Sequence, residues 1–189
     1  MSERPSQPTQ PSQPFPARAL LIVDMQHGLF HGADAPHEGE RLLANLRTLI
    51  GRAREAGAMI LAARHVGAPG TPLAPDSALV QLLPELGLDP QRDFVFDKQR
   101  PNCFSGTALA ARLADAGVRE LVVAGMKTQY CVDTTCRAAP EHGIRPVLAA
   151  DAHSCMDTLV LPASAIVAHH NLTLAGPFAD VIATHDCHF

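Results

Sequence analysis

Three residues with the chemistry of a covalent catalyst each stand at or just beyond the end of a short apolar segment. Asp24 follows ALLIV, Lys98 follows FVFD, and Cys131 comes shortly after LVVA. A thiol can attack a carbonyl carbon, and a carboxylate beside it can take the thiol proton and later return it to a leaving group. An ammonium group next to both would stabilise both anions. This set of side chains is suited to acyl transfer through a thioester, followed by hydrolysis.

The position of Cys131 also suggests how its thiol could be activated. Residues 126–129 predict a tight loop after the apolar segment, and Cys131 then falls in the first turn of a predicted helix that ends before Gly143. Free N–H groups in a first helical turn favour negative charge, so we expect the pKa of this thiol to lie below the usual ~8.5. The same N–H groups could hold an oxyanion.

Alternating apolar and amphipathic segments predict the elements that position these residues. Buried strands are predicted at residues 19–23, 58–63, 94–96, 121–124, 145–150 and 181–183. Helices are predicted at residues 38–56, 77–83, 107–116, 131–142 and 164–174. Strands that alternate with helices indicate an α/β fold, in which helices cover both faces of a parallel sheet. Because ligands bind beyond the carboxyl ends of such strands, we expect Asp24, Lys98 and Cys131 to meet at that edge.

The composition limits the domain organisation and the partners. The length of 189 residues predicts one domain, residues 18–189, after a flexible tail rich in Pro, Ser and Gln at residues 1–17. The tail has no apolar segment of the kind a signal peptide needs. A net charge of −4 and short apolar segments give no case for nucleic acid or a membrane as partner. Five scattered cysteines, an odd number, favour reduced thiols and a cytoplasmic location.

Three motifs resemble those of the isochorismatase-like cysteine hydrolases, a family that includes nicotinamidases and N-carbamoyl amidases. They are LLIVDMQHGLF around Asp24, DKQRPNCFSGTAL around Lys98, and LVVAGMKTQYCVDTTCRAA around Cys131, and they occur in the family's order. The resemblance covers about residues 19 to 184. It implies a three-layer, Rossmann-like α/β fold with a six-stranded, mostly parallel sheet, and it assigns catalysis to these three residues.

The same resemblance implies further features of the site. It implies a cis peptide bond at Met126–Lys127 and an oxyanion hole formed by the backbone N–H groups of Lys127 and Cys131. It also suggests a homo-oligomer, a dimer or tetramer. Lys127 itself departs from the family, which usually has a small residue at this position.

We expect the site to bind a small-molecule substrate and to need no cofactor. Gln26 and Phe30 follow Asp24 at the family's usual spacing, and Phe104 and Tyr130 are further candidates for the wall of a substrate pocket. Nicotinamidases carry an Asp-x-His…His metal site after the second strand. Here that region has only His65 and no Asp partner, so we predict no catalytic metal.

The leading hypothesis is therefore a metal-independent cysteine hydrolase that cleaves an amide or carbamoyl-type C–N bond of a small molecule. A second hypothesis is a vinyl-ether hydrolase of the isochorismatase type, in which Arg64 and Arg100 would bind the dianionic substrate. A third is a non-enzymatic protein with the same fold, and a fourth is a thiol redox protein that pairs Cys131 with Cys103 or Cys136.

Overall fold

The computed structural model describes residues 17–189 of the chain, so that residues 1–16 of the predicted tail lie outside the described part. Six strands form one sheet in the order β3-β2-β1-β4-β5-β6, and every neighbouring pair is parallel. The strands are β1 (Arg18–Val23), β2 (Ile60–His65), β3 (Phe94–Lys98), β4 (Glu120–Met126), β5 (Arg145–Ser154) and β6 (Asp180–Ile182). This sheet confirms the predicted three-layer α/β Rossmann-like fold.

Helices cover both faces of the sheet. They are α1 (His27–Phe30), α2 (Gly39–Glu55), α3 (Leu109–Asp115), α4 (Asp133–Ala138) and α5 (Ala163–Leu174). One face packs against α2, whose buried side chains recur at helical spacing: Leu42, Leu46, Leu49, Ile50 and Ala53. The other face packs against α3, α4 and the end of α5. No helix among the described residues has the length and apolarity to cross a lipid bilayer.

The position of β1 in the middle of the sheet explains its unbroken apolar sequence. Leu20 and Ile22 belong to the cluster on the α2 face, whereas Leu21 and Val23 belong to the cluster on the opposite face. Successive strand residues point to opposite faces, so a strand covered on both sides needs apolar side chains at every position. A central strand of this kind fixes where Asp24, the next residue, emerges.

The larger differences between the structure and the predicted elements lie in three segments. β5 continues to Ser154 after a register shift against β4 between Val123 and Gly125. The predicted helix around Cys131 is divided into a π-helical turn (Thr128–Val132), α4, and a 3₁₀ turn that ends at His142. The segment predicted as a helix at 77–83 holds only a 3₁₀ turn at Ala78–Val80. The π-helical turn places Cys131 before α4 rather than inside a regular helix.

Gly125 lets β4 pass β1 closely just before this turn. Its φ of +121° lies in a region that side chains rarely adopt, and a Cβ added here would stand 2.1 Å from the carbonyl oxygen of Val23. Val23 immediately precedes Asp24, so the close approach brings the ends of the two central strands together. The glycine is thus required by both the backbone conformation and the lack of space.

We expect Gly125→Ala to lower the free energy of unfolding by on the order of 3 kcal/mol or more, because it adds backbone strain and a clash with main-chain atoms that cannot move aside. Gly51→Ala is the matched control. Gly51 lies within α2 with no atom near its added Cβ, so alanine there should stabilise the protein by about 0.5–1 kcal/mol. Urea unfolding of both variants measures the difference, and equal stability of Gly125→Ala and wild type would contradict this reading of the β1–β4 contact.

Candidate active site

The ends of β1, β3 and the loop after β4 bring the three predicted catalytic side chains into contact. Lys98 Nζ lies 2.8 Å from Asp24 Oδ2 and 3.3 Å from Cys131 Sγ. These residues are 74 and 33 positions from Lys98 along the chain, so only the sheet order brings them together. The ammonium group bridges the carboxylate and the thiol.

Lys98 is buried completely, and its side chain has no exposed surface. Besides Asp24 and Cys131, the ammonium group donates to the carbonyl oxygen of Arg100, 3.2 Å away. Burial alone would lower the pKa of Lys98, but the nearby Asp24 carboxylate and the thiol groups of Cys103 and Cys131 outweigh burial and raise it. The lysine is therefore a permanent cation at neutral pH.

Asp24 is held in an unusual backbone conformation. Its φ of +49° is left-handed, which aspartate tolerates better than most residues, and its N–H donates to the carbonyl oxygen of Ala63 over 3.0 Å. Oδ2 accepts the bond from Lys98, whereas the buried Oδ1 has no hydrogen-bond partner in the described part of the chain. A carboxylate oxygen of Asp24 lies within 4.8 Å of Cys131 Sγ. Asp24 therefore has a free lone pair beside the thiol.

The thiol of Cys131 differs from the expectation drawn from the sequence. Burial, together with the negative charge of Asp24, raises the pKa of Cys131 to about 12, although Lys98 acts in the opposite direction. The expected lowering was wrong because Cys131 lies in the buried π-helical turn, where the loss of solvation and the charge of Asp24 outweigh the effect of Lys98. The resting group is a protonated thiol, which needs a base in order to become a nucleophile.

His65 is a site residue that the sequence analysis treated only as an isolated metal ligand. Cross-strand pairing places it directly beside Lys98, and its Nδ1 lies 3.3 Å from Lys98 Nζ. The side-chain amide of Gln26 bonds both the N–H and the carbonyl oxygen of His65, at 2.9 and 3.0 Å. Burial and the charge of Lys98 lower the pKa of His65, so the imidazole is neutral. Only the strand register, which the sequence does not specify, would have revealed this pair.

The same side chains have the spacing of a possible metal site. Asp24, His65 and Cys131 offer ligand atoms that all lie within 4.8 Å of one another. Lys98 Nζ stands within 3.3 Å of each of them. A metal ion would have to share this space with a positive charge, so the donor set fits an ammonium ion better than a metal.

A cavity of about 340 Å³ opens onto Asp24 and Cys131. Its other walls are mainly apolar and are formed by Leu29, Leu73, Leu79, Pro101 and Tyr130. Gln26 and Lys127 also line the cavity.

Of the predicted substrate-binding residues, the structure places Gln26 and Tyr130 on this cavity but not the two phenylalanines. Phe30 lies against α2-face residues and the ring of His31. Phe104 is buried and stacks on His142, with ring centroids 4.5 Å apart. The Gln26 amide is occupied by His65 and the carbonyl oxygen of Val80, so it fixes backbone rather than offering free donors.

The peptide bond between Met126 and Lys127 is cis. The Lys127 carbonyl oxygen accepts from the N–H groups of Tyr130 and Val132, over 3.1 and 3.3 Å, which closes the turn that carries Cys131.

Comparison with known proteins gives a consistent set of relatives. The isochorismatase domain profile matches residues 18–186. A streptothricin hydrolase from Streptomyces noursei is 40% identical over 146 residues, which are 77% of this chain and 52% of that protein. A ureidoacrylate amidohydrolase from an Enterobacter species is 28% identical over 156 residues, or 63% of this chain and 67% of that protein. The chain thus spans about half the length of the streptothricin hydrolase.

A solved structure agrees with these sequence relatives. The crystal structure of an isochorismatase family protein superposes with a TM-score of 0.82 at 30% identity, covering 88% of this chain and 98% of that one. The profile match over nearly all described residues, together with this structural agreement, shows that the chain belongs to the isochorismatase domain family.

Proposed function

We propose that the protein is a metal-independent cysteine hydrolase that cleaves an amide or carbamoyl-type C–N bond in a small molecule through a thioester on Cys131. The observation that carries this proposal is the buried Lys98 ammonium, which touches both the Asp24 carboxylate and the Cys131 thiol. The names of two relatives, a streptothricin hydrolase and a ureidoacrylate amidohydrolase, support hydrolysis of C–N bonds.

The proposed reaction begins with the protonated thiol. Asp24 takes the Cys131 proton as Sγ attacks the carbonyl carbon, and Lys98 stabilises the negative charge that passes from carboxylate to sulfur and back. The C–N bond then breaks, Asp24 gives the proton to the leaving nitrogen, and the acyl group stays on sulfur. Asp24 next takes a proton from water, which attacks the thioester and releases the acid. The thiol regains its proton from Asp24.

The negative charge on the carbonyl oxygen needs donors during both attacks. We assign this role to the backbone N–H groups of Lys127 and Cys131, as the family resemblance implies. Both residues line the cavity at the turn that follows β4. N–H groups held by a rigid turn need no reorganisation as the charge develops.

The environment of the two candidate arginines argues against a vinyl-ether hydrolase. Arg64 donates two hydrogen bonds to Asp97, of 2.7 and 3.0 Å, and a third to Gln81. Neither Arg64 nor Arg100 lines the cavity. A dianionic substrate would therefore meet neither of these arginines there, whereas the apolar walls suit a substrate of lower charge.

A thiol redox function also lacks support from the cysteines. All five cysteines are free, and Cys103 and Cys136 are fully buried. Burial raises the pKa of Cys103 to about 12, so it has little thiolate character at neutral pH.

Two substitutions test the proposed roles. Cys131→Ala removes the nucleophile and should lower kcat on the order of 10⁴-fold or more, whereas Asp24→Asn removes the base and should lower it about 10²–10⁴-fold. Ammonia or amine release from a panel of primary amides, N-carbamoyl amino acids and acylureas provides the measurement. Cys187→Ala, a buried cysteine outside the cavity, is the control and should keep wild-type turnover. Full activity in Cys131→Ala would rule out the thioester mechanism.

The titration of the Cys131 thiol gives a second test. Because the pKa of Cys131 is raised, its alkylation by iodoacetamide should accelerate roughly tenfold per pH unit from pH 7 to 10 without levelling off. Asp24→Asn removes a negative charge that raises this pKa, so the variant should react faster with iodoacetamide at each pH even though it hydrolyses amides more slowly. Lys98→Met removes a charge that lowers the pKa and should react more slowly. Peptide mass spectrometry follows Cys131 separately, and a plateau near pH 8 in wild type would contradict a raised pKa.

We also propose a homo-oligomer, as the family resemblance suggests. Leu159 and Val160 are almost entirely exposed, and Leu161 beside them is about half exposed. All three lie in a turn whose backbone N–H groups bond to the Thr158 hydroxyl. Exposed apolar side chains grouped in this way are typical of contact surfaces between subunits.

The charge-bearing variant Leu159→Glu should therefore shift the protein toward a smaller species, because a carboxylate cannot be buried at an apolar contact. Size-exclusion chromatography with light scattering measures the mass. Leu73→Glu, which changes an exposed leucine of the cavity wall, is the control and should keep the wild-type mass. A monomeric wild-type protein would contradict the proposal.

A further inference from the structure

His65 is fixed on two sides next to the proposed catalytic groups. Its main chain is paired with Lys98 across the β2–β3 register and is bonded by the Gln26 amide on the other side. The residue lines the same cavity as Asp24 and Cys131. One ring nitrogen lies within 4.8 Å of both a carboxylate oxygen of Asp24 and the sulfur of Cys131. The proposed thioester mechanism makes no use of this side chain.

The contact with Lys98 determines which nitrogen of the ring carries the proton. An ammonium group has donors and no acceptor. Lys98 Nζ lies 3.3 Å from Nδ1, and a proton on Nδ1 would point at this cation, so Nδ1 is the unprotonated nitrogen. The lowered pKa, caused by burial and by the charge of Lys98, agrees with a neutral ring. The single ring proton therefore resides on Nε2.

The Nε2–H group is available as a hydrogen-bond donor. Within residues 17–189, Nε2 has no hydrogen-bond partner. The buried side-chain atoms without a partner in this part of the chain are Asp24 Oδ1 and Gln129 Oε1, so Nε2 is not a buried atom. Nε2 is consequently open to accessible space, and His65 borders the cavity. Leu29, Leu79 and Pro101 are among the apolar side chains that line the same cavity. The Gln26 amide, which also lines it, is already bonded to His65 and Val80, whereas the Nε2–H group of His65 has no partner among the described residues.

We propose that His65 is a substrate-binding residue whose Nε2–H donates a hydrogen bond to an acceptor atom next to the reacting carbonyl group. This inference rests on the proposed function and narrows its substrate class to amides with a carbonyl oxygen or another acceptor adjacent to the scissile bond. A neutral imidazole N–H is too weak an acid to protonate a leaving nitrogen, so Asp24 keeps that role and His65 contributes recognition. An apolar amide without such an acceptor leaves the donor unsatisfied and binds less well.

A purely structural role, in which His65 only holds Lys98 through Nδ1, would make a different prediction. The two amide residues separate these roles, because an asparagine side chain places its polar atoms near the position of Nδ1 and a glutamine side chain near that of Nε2. His65→Asn keeps an acceptor for Lys98 and loses the donor to the cavity. His65→Gln keeps a donor to the cavity and loses the acceptor for Lys98.

The experiment compares two alkylating reagents at Cys131 of the full chain. Iodoacetamide has a carbonyl acceptor next to its reacting carbon, whereas iodoethane has the same two-carbon skeleton and no acceptor. Second-order rate constants at Cys131 are measured by peptide mass spectrometry and divided by those of N-acetylcysteine under the same conditions. The ratio of the two normalised constants reports recognition of the acceptor and cancels changes in thiol pKa, which affect both reagents equally.

We expect His65→Asn to lower this ratio about tenfold, the effect of losing one hydrogen bond, and His65→Gln to stay within about threefold of wild type. A ratio that falls in His65→Gln but not in His65→Asn would assign His65 to holding Lys98 and overturn the proposal. An unchanged ratio in both variants would also overturn it. Circular dichroism checks that each variant is folded, and Gln26 remains in place to hold the end of β2 in both.

Failure of this inference is distinguishable from failure of the proposed function. The alkylation ratio needs no turnover, so it reads the donor at His65 whether or not an amide is hydrolysed. Conversely, suppose that amide hydrolysis depends on Cys131 but proceeds equally fast for substrates with and without an adjacent acceptor. This result would support the proposed hydrolase function and reject the proposed role of His65.

Discussion

The buried positive charge of Lys98 is the constraint on which the site depends. An ammonium group without exposed surface is costly unless acceptors surround it, and here Asp24, His65, Cys131 and the carbonyl oxygen of Arg100 all lie within 3.3 Å. Each acceptor comes from a different part of the sheet edge or its loops. The requirement to compensate one cation therefore gathers the proposed base, the proposed nucleophile and the proposed substrate-binding residue around a single atom.

The parallel sheet is what makes this gathering possible. Carboxyl ends of parallel strands meet at one edge, so residues far apart in the chain become neighbours once the strand order is set. The fit is close at the centre, where Gly125 leaves no room for a side chain against Val23. The left-handed backbone of Asp24 directly follows this contact. The geometry of the site is thus supported by packing within the two central strands rather than by the loops alone.

Much of this arrangement could be predicted from the sequence. Apolar segments defined the strands, and the rule for strand ends selected Asp24, Lys98 and Cys131, which the structure brings together. The contact between His65 and Lys98 could not be predicted, because it depends on the register between two strands. The location of Phe104 away from the cavity depends on the direction of a side chain in a loop. The raised pKa of Cys131 depends on burial that only the folded chain determines.

Other features stay predictions, among them the cytoplasmic location and the oligomer. The central claim is that Cys131 forms an acyl intermediate within the group held by Lys98. This claim is tested with several amides that share one acyl group but differ in the leaving amine. Each is hydrolysed in the presence of hydroxylamine, which competes with water for the acyl group, and the ratio of hydroxamate to acid is measured. A common acyl-cysteine predicts the same ratio of hydroxamate to acid for every amide, because every amide leaves the same acyl group on Cys131. A ratio that changes with the leaving amine would show that no common acyl intermediate forms.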